Sequence, residues 1–178
     1  GRLLADGFIR DAGDILGIDH ADDGTVLDIE ARVPPERLRE GTAEAEHRAD
    51  HGCGARFLLD CRPGLIRHAG PRPAPPDPAR LQQRFRDLFD ASPGRGGSAG
   101  HHAAALSDGE RLFHTHEEIG RHNAVDKAIG GGLLAGADPS RLGLVLSARV
   151  SAEIAAKAAR AGLAWIASRS VPTTLAVE

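Results

Sequence analysis

Two short apolar runs separated by a helix-forming stretch limit most strongly what this chain can fold into. Residues 142–146 and 163–167 are apolar throughout, and residues 152–161 between them are rich in alanine, the best helix former. Gly162 follows, the residue type that closes helices. Strand, helix and strand joined by so little chain require parallel strands, because a hairpin has no room for a helix. Parallel strands are covered on both faces, which agrees with runs that lack polar alternation. Upstream, residues 103–106 and 111–114 flank Ser107-Asp108-Gly109 and predict a hairpin. Residues 123–134 predict a helix whose far end is weakened by Gly130, Gly131 and Gly132, and Thr173 opens a further helix. The second half is expected to be an α/β layered domain.

The first half carries weaker patterns. Residues 3–10 read as the end of a helix. Residues 15–18 and 26–33 read as two strands around the turn signal Ala21-Asp22-Asp23-Gly24. Leu27, Ile29 and Ala31 alternate with Asp28, Glu30 and Arg32, the period of a half-buried strand. Pro34-Pro35 ends it. Residues 41–56 are charged and poor in large apolar side chains, so they predict a mobile loop. Residues 70–78 contain five of the eleven prolines and mark a linker. Asp77 or a neighbour then caps a helix running to about Phe89, with Leu81, Phe85 and Leu88 on one face. The expected organisation is a smaller N-terminal α+β subdomain over 1–69, the linker over 70–78, and a ligand-binding domain over 79–178. Both ends read as cuts through helices, so the chain is expected to be a piece of a longer protein.

Composition excludes some classes. The formal charge of -3 gives no basic field for nucleic acid. No apolar run approaches the roughly 20 residues that span a bilayer, and residues 1–6 lack the apolar core of a signal peptide. A cytoplasmic protein is the expectation. Cys53 and Cys61 have neither zinc-knuckle nor redox Cys-x-x-Cys spacing. His116-Glu117 with His122 lacks the spacing that sets two histidines one helical turn apart on zinc. No bound metal is expected.

The densest polar stretch runs from His114 to Lys127, where a strand hands over to a helix. Ligands of α/β sheets bind at such places, on the free N–H groups of helix N-termini. Arg121 adds a guanidinium fork suited to phosphate, and His122 and Asn123 are read as further donors; a plain solvated strand end is the alternative. Residues 147–153 and 170–174 form two more strand-to-helix elbows on the same expected edge. Ser151 and Thr173 are also natural helix caps, whereas Arg149 has no such structural role. Cys53 stands between glycines near His51 and Arg56, surroundings that favour a thiolate.

These stretches resemble one known family. Glu-Glu-Ile-Gly-Arg-His-Asn-Ala-Val-Asp-Lys at 117–127 is similar to the Glu-Asp-Val-Gly-Arg-His-Asn-Ala-hydrophobic-Asp-Lys signature of the formate dehydrogenase accessory sulfurtransferases. Residues 98–104, 147–153 and 171–178 resemble three further motifs of that family, in the same order. The resemblance implies a cytidine deaminase-like layered core, a mixed sheet flanked by helices, without zinc. It implies a molybdenum cofactor, bis-molybdopterin guanine dinucleotide, as ligand, with His102, Arg121, His122, Asn123, Ser147, Arg149, Ser151 and Thr173 at the matching groove positions. It implies sulfur passed from a cysteine desulfurase through Cys53, the catalytic residue, to that cofactor for the formate dehydrogenase catalytic subunit. A homodimer is expected, and composition argues against nucleic acid and membrane as partners. The sequence departs from the pattern at Arg56, where the family's loop has its second cysteine, and at Ala99 and Ala148, where it has glycines. A cofactor-binding chaperone without sulfurtransferase activity is the alternative that Arg56 raises.

Overall fold

The computed structural model of the chain describes residues 1–20, 27–33, 35, 73–91 and 100–177. The expected mobile loop, with Cys53 and Arg56, lies outside the described residues, as do Cys61 and residues 70–72 of the linker. The short helix α1 (Arg2–Ala5) leads through a 3-10 turn to strands β1 (Ile15–His20) and β2 (Leu27–Ala31), which pair antiparallel. Helix α2 (Pro78–Asp90) follows. The hairpin β3 (His102–Ser107) and β4 (Leu112–Glu118) then leads to helix α3 (Arg121–Leu134). Strand β5 (Gly143–Leu146), helix α4 (Ala152–Arg160), strand β6 (Trp165–Ser168) and helix α5 (Thr174–Val177) complete the order.

The main sheet has the order β4-β3-β5-β6. Strand β3 runs antiparallel to both neighbours, and β5 and β6 are parallel, as the strand–helix–strand reading requires. The period of two divides the core. Ala104, Leu106, Leu144 and Leu146 face α3 and α4, meeting Val125, Ile129, Ile154 and Ala158 in a core that Leu4 and Ile9 also enter. Ala103, Ala105 and Val145 face the other way and are covered by Leu81, Phe85 and Leu88 of α2. Helices thus lie on both faces of a mixed sheet. Helix α2 starts where expected, since the Asp77 carboxylate accepts from the N–H groups of Ala79 and Arg80 at 2.9 and 3.1 Å. Helix α4 ends at Gly162, whose φ of 80° is the left-handed conformation that glycine adopts freely.

Three details differ from the sequence reading. Ile29, expected on a buried face, is 41% exposed: β1 and β2 form a two-stranded ribbon, and among the described residues no second layer covers that position. Strand β4 runs on past His114 to Glu118. At this point a β-bulge sets His114 and Thr115 opposite Ala105, with His114 at φ 50°, so the alternation is broken mid-strand. The glycines of α3 do not interrupt it. A Cβ on Gly131 would lie 2.9 Å from His114 Nδ1, and one on Gly132 would run into Leu106 Cδ1. Lost helix propensity is offset by close approach of helix to sheet. Among the described residues no helix is long and apolar enough to cross a membrane.

Gly143 shows the same constraint on the opposite sheet face. It pairs in register with Trp165, and a Cβ there would overlap the indole ring. Gly143→Ala is therefore expected to lower stability by about 1–3 kcal/mol through overpacking. Trp165 is the one tryptophan in the sequence, so denaturant unfolding followed by its fluorescence checks this; an unchanged midpoint and emission maximum would contradict it.

Candidate functional site

Because β3 runs against its neighbours, its beginning and the ends of β4, β5 and β6 share one edge of the sheet. His102 pairs with Glu118, and Ala104 with Leu146, which fixes the alignment. The loops that enter α3, α4 and α5 therefore emerge side by side. A parallel bridge between Val150 and Pro172 and a 2.9 Å bond from the Thr173 N–H to the Val150 carbonyl join the last two.

The structure places all eight groove residues of the sequence reading along this edge, in different surroundings. Arg121 opens α3, and its Nε is buried without a hydrogen-bond partner among the described residues. Arg149 is exposed in the β5–α4 loop and forms no ion pair among the described residues. Ser147 is tied to the scaffold: its Oγ accepts from the Ala103 N–H at 2.9 Å. His102 is half-buried at the start of β3, Asn123 is exposed in the first turn of α3, and Thr173 is exposed just before α5. Cys53, expected as the catalytic residue, lies outside the described residues.

Neither long helix at this edge is capped by a side chain. Gly120 precedes α3 and has none to offer, and Ser151 sits at the cap position of α4 without using its hydroxyl there. The cap role open to Ser151 is thus filled in position only. Its Oγ donates instead to Glu153 Oε2 at 3.1 Å and lies 3.4 Å from His122 Nε2. The same His122 Nε2 is 2.9 Å from Glu153 Oε2. Two backbone N-termini thus stand next to each other, that of α3 free of any carboxylate in its first turn and that of α4 already facing Glu153, and Arg121 and Arg149 add charge beside them.

Glu153 is the residue that the sequence reading passed over. It is 8% exposed, at the second position of α4, where the helix dipole favours a carboxylate. Its spacing from Ser151 was visible in the sequence; its partner on α3 was not. One turn further along both helices, Lys157 of α4 and Asp126 of α3 form a second, buried ion pair. On the outer side, Lys127 pairs with Glu118.

Desolvation is the main cause that pulls the His122 pKa below its ordinary value, with Arg121 and Lys157 adding to it and Glu153 opposing. His116 is lowered as well, by desolvation, then by Lys127 and His114, against Glu118. His122, expected as a donor, has its Nε2 directed to Glu153. Among the described residues no group of three or more His, Cys, Asp or Glu is placed to hold a metal ion.

The fold and the edge together define a layered α/β protein that presents two uncapped helix N-termini, flanked by arginines, at one end of its sheet. The sequence profile of the FdhD/NarQ family matches residues 1–178, and the chain belongs to that family. It is 35% identical over 199 residues to the sulfur carrier protein FdhD of Anaeromyxobacter dehalogenans, covering 100% of this chain and 68% of the relative. It is 34% identical over 200 residues to the sulfur carrier protein FdhD of Corynebacterium efficiens, covering 100% and 69%. A crystal structure from Desulfotalea psychrophila, of a protein assigned to the formate dehydrogenase accessory proteins, superimposes with a TM-score of 0.71 at 24% identity. It covers 99% of this chain, which spans 64% of that protein, and the likeness is one of fold.

Histidines with lowered pKa values bind fewer protons folded than unfolded. Their burial costs stability as pH falls through the ordinary histidine value of 6.5 toward the lower folded values, and the cost is complete below them. Urea unfolding is expected to show lower stability at pH 5.5 than at 7.5, with a smaller difference in His122→Gln. An equal pH dependence in the variant would remove His122 from the account.

Proposed function

We propose that this chain is a sulfur carrier, a sulfurtransferase acting in the cytoplasm, that serves the maturation of formate dehydrogenase. A cysteine desulfurase gives up its sulfane sulfur to the Cys53 thiolate and leaves as a thiolate. The Cys53 persulfide would then pass its outer sulfur to a molybdenum cofactor held at the helix-N-terminal edge: the S–S bond breaks, Cys53 returns as a thiolate, and the reduced metal would supply the two electrons that bring the sulfur to sulfide. Family membership supports the sulfur-carrier role, and the names of the relatives point the same way. The observation that carries the binding half is the pair of uncapped helix N-termini beside Arg121, whose buried Nε has no partner among the described residues.

The substrate, bis-molybdopterin guanine dinucleotide, bears diphosphates, and this donor set fits them. His102, Asn123, Ser147, Ser151 and Thr173 belong to the same groove in this reading. The reversed β3 between strands of one direction, with helices on both faces, supports a cytidine deaminase-like core. Homodimer formation and docking of the desulfurase and the formate dehydrogenase catalytic subunit are part of the proposal. Ile119, Val171, Leu175 and Val177, all exposed near the edge, offer apolar surface for such contacts.

Intact mass spectrometry after incubation with a desulfurase and cysteine tests the transfer. A reducible gain of one sulfur atom is expected, lost in Cys53→Ser and kept in Cys61→Ser. Guanine-nucleotide binding without any sulfur gain would point to the cofactor-binding chaperone that Arg56 raises. Arg121→Ala is expected to weaken guanosine diphosphate about tenfold to a hundredfold by calorimetry, the worth of a hydrogen bond to a charged group.

A further inference from the structure

We infer that Glu153 is a positioning residue that commits His122 to accept, not donate, a hydrogen bond from the ligand, dividing the edge into a phosphate-binding part and a part that selects an N–H or O–H group. The inference rests on the proposed binding of a phosphate-bearing ligand at this edge and specifies how that ligand is read.

Glu153 Oε2 lies 2.9 Å from His122 Nε2 and also accepts from Ser151 Oγ at 3.1 Å. A carboxylate only accepts hydrogen bonds, so the proton on this contact belongs to Nε2. A neutral imidazole carries one N–H; with that on Nε2, Nδ1 is left as a lone-pair acceptor. Nδ1 takes no hydrogen bond from the described residues.

The surroundings keep the ring neutral. The charged groups around it are Glu153 and Lys157 on α4 and Arg121 on its own helix, with Asp126 engaged by Lys157. The ring is largely buried, and its own desolvation and the two cations outweigh the one carboxylate.

A neutral acceptor next to a phosphate oxygen would set lone pair against lone pair. Arg121, Arg149 and the two helix N-termini are donors, and they suit the oxygens. His122 suits what phosphate lacks, a hydroxyl or N–H on the sugar or base. The buried Glu153, held at the α4 N-terminus, thereby contributes to specificity without touching the ligand.

Two probes separate these roles: guanosine diphosphate, which has hydroxyl and N–H groups, and inorganic pyrophosphate, which has neither sugar nor base. Calorimetry at pH 7.5 is expected to show Glu153→Gln and His122→Phe each weakening guanosine diphosphate about threefold to tenfold, the worth of one neutral hydrogen bond. Pyrophosphate affinity should not fall in Glu153→Gln, where loss of a like charge favours the anion, and the double variant should bind guanosine diphosphate no worse than His122→Phe alone. Arg121→Ala should weaken both probes. If Glu153→Gln weakens both probes equally, or neither, the inference is overturned while the binding reading stands. If neither probe binds the wild type, the binding reading fails. Nitrogen-15 spectra of histidine-labelled protein test the tautomer separately: His122 is expected to carry its proton on Nε2 at pH 7.5. A proton on Nδ1 would overturn the inference whatever the probes do, and thermal unfolding of each variant excludes simple misfolding.

Discussion

The contact between the first turns of α3 and α4 is the interaction on which the proposed binding edge depends. The two helices follow parallel strands that are not neighbours, since β3 lies between β4 and β5. Something must hold their N-termini in register across that gap. His122 meets Glu153 there, and four residues on along both helices Asp126 meets Lys157. The order of charge reverses between the two rungs, so a shift of either helix by one turn would set acid against acid or base against base. Buried polar pairs contribute little net stability, because desolvation cancels most of the attraction. Their contribution here is register, and register is what a multi-part binding edge requires.

Apolar packing supplies the rest. Leu144 and Leu146 point to one helical layer and Val145 to the other, so β5 joins the two cores through alternate residues. Small side chains keep the layers close. Gly131 and Gly132 admit His114 and Leu106 against α3, and Gly143 leaves room for Trp165. The bulge at His114 uses that room, turning a polar ring onto the helix where the strand would otherwise have continued flat.

Much of the fold was legible in the sequence. Apolar runs of strand length around an alanine-rich stretch ending in Gly162 gave β5, α4 and β6, and Asp77 marked the start of α2. The places that were not legible share a cause. Ile29 follows the alternation of a half-buried strand, but alternation records only that two faces differ and not whether a layer exists to cover one. Strand β4 reads in the sequence as ending at His114 because the bulge there inserts an extra residue and scrambles the period. At the binding edge, local sequence placed Arg121, Arg149 and Ser151 at helix entrances. It did not reveal Glu153, because the importance of that carboxylate comes from a histidine 31 positions earlier that only the parallel course of α3 and α4 brings near.

The reversed β3 has a consequence for how the site comes into being. It brings His102 to the edge where Arg121, Arg149 and Thr173 also arrive, so residues spread over four separate stretches must all be in place before the proposed site is complete. No fragment of the sheet holds a partial version of it. Occupancy and order are then linked: a ligand bound there ties the hairpin, both long helices and the last described turn to one another, and its binding energy adds directly to the stability of the folded chain. During synthesis, the proposed site is complete only after residue 173 has left the ribosome.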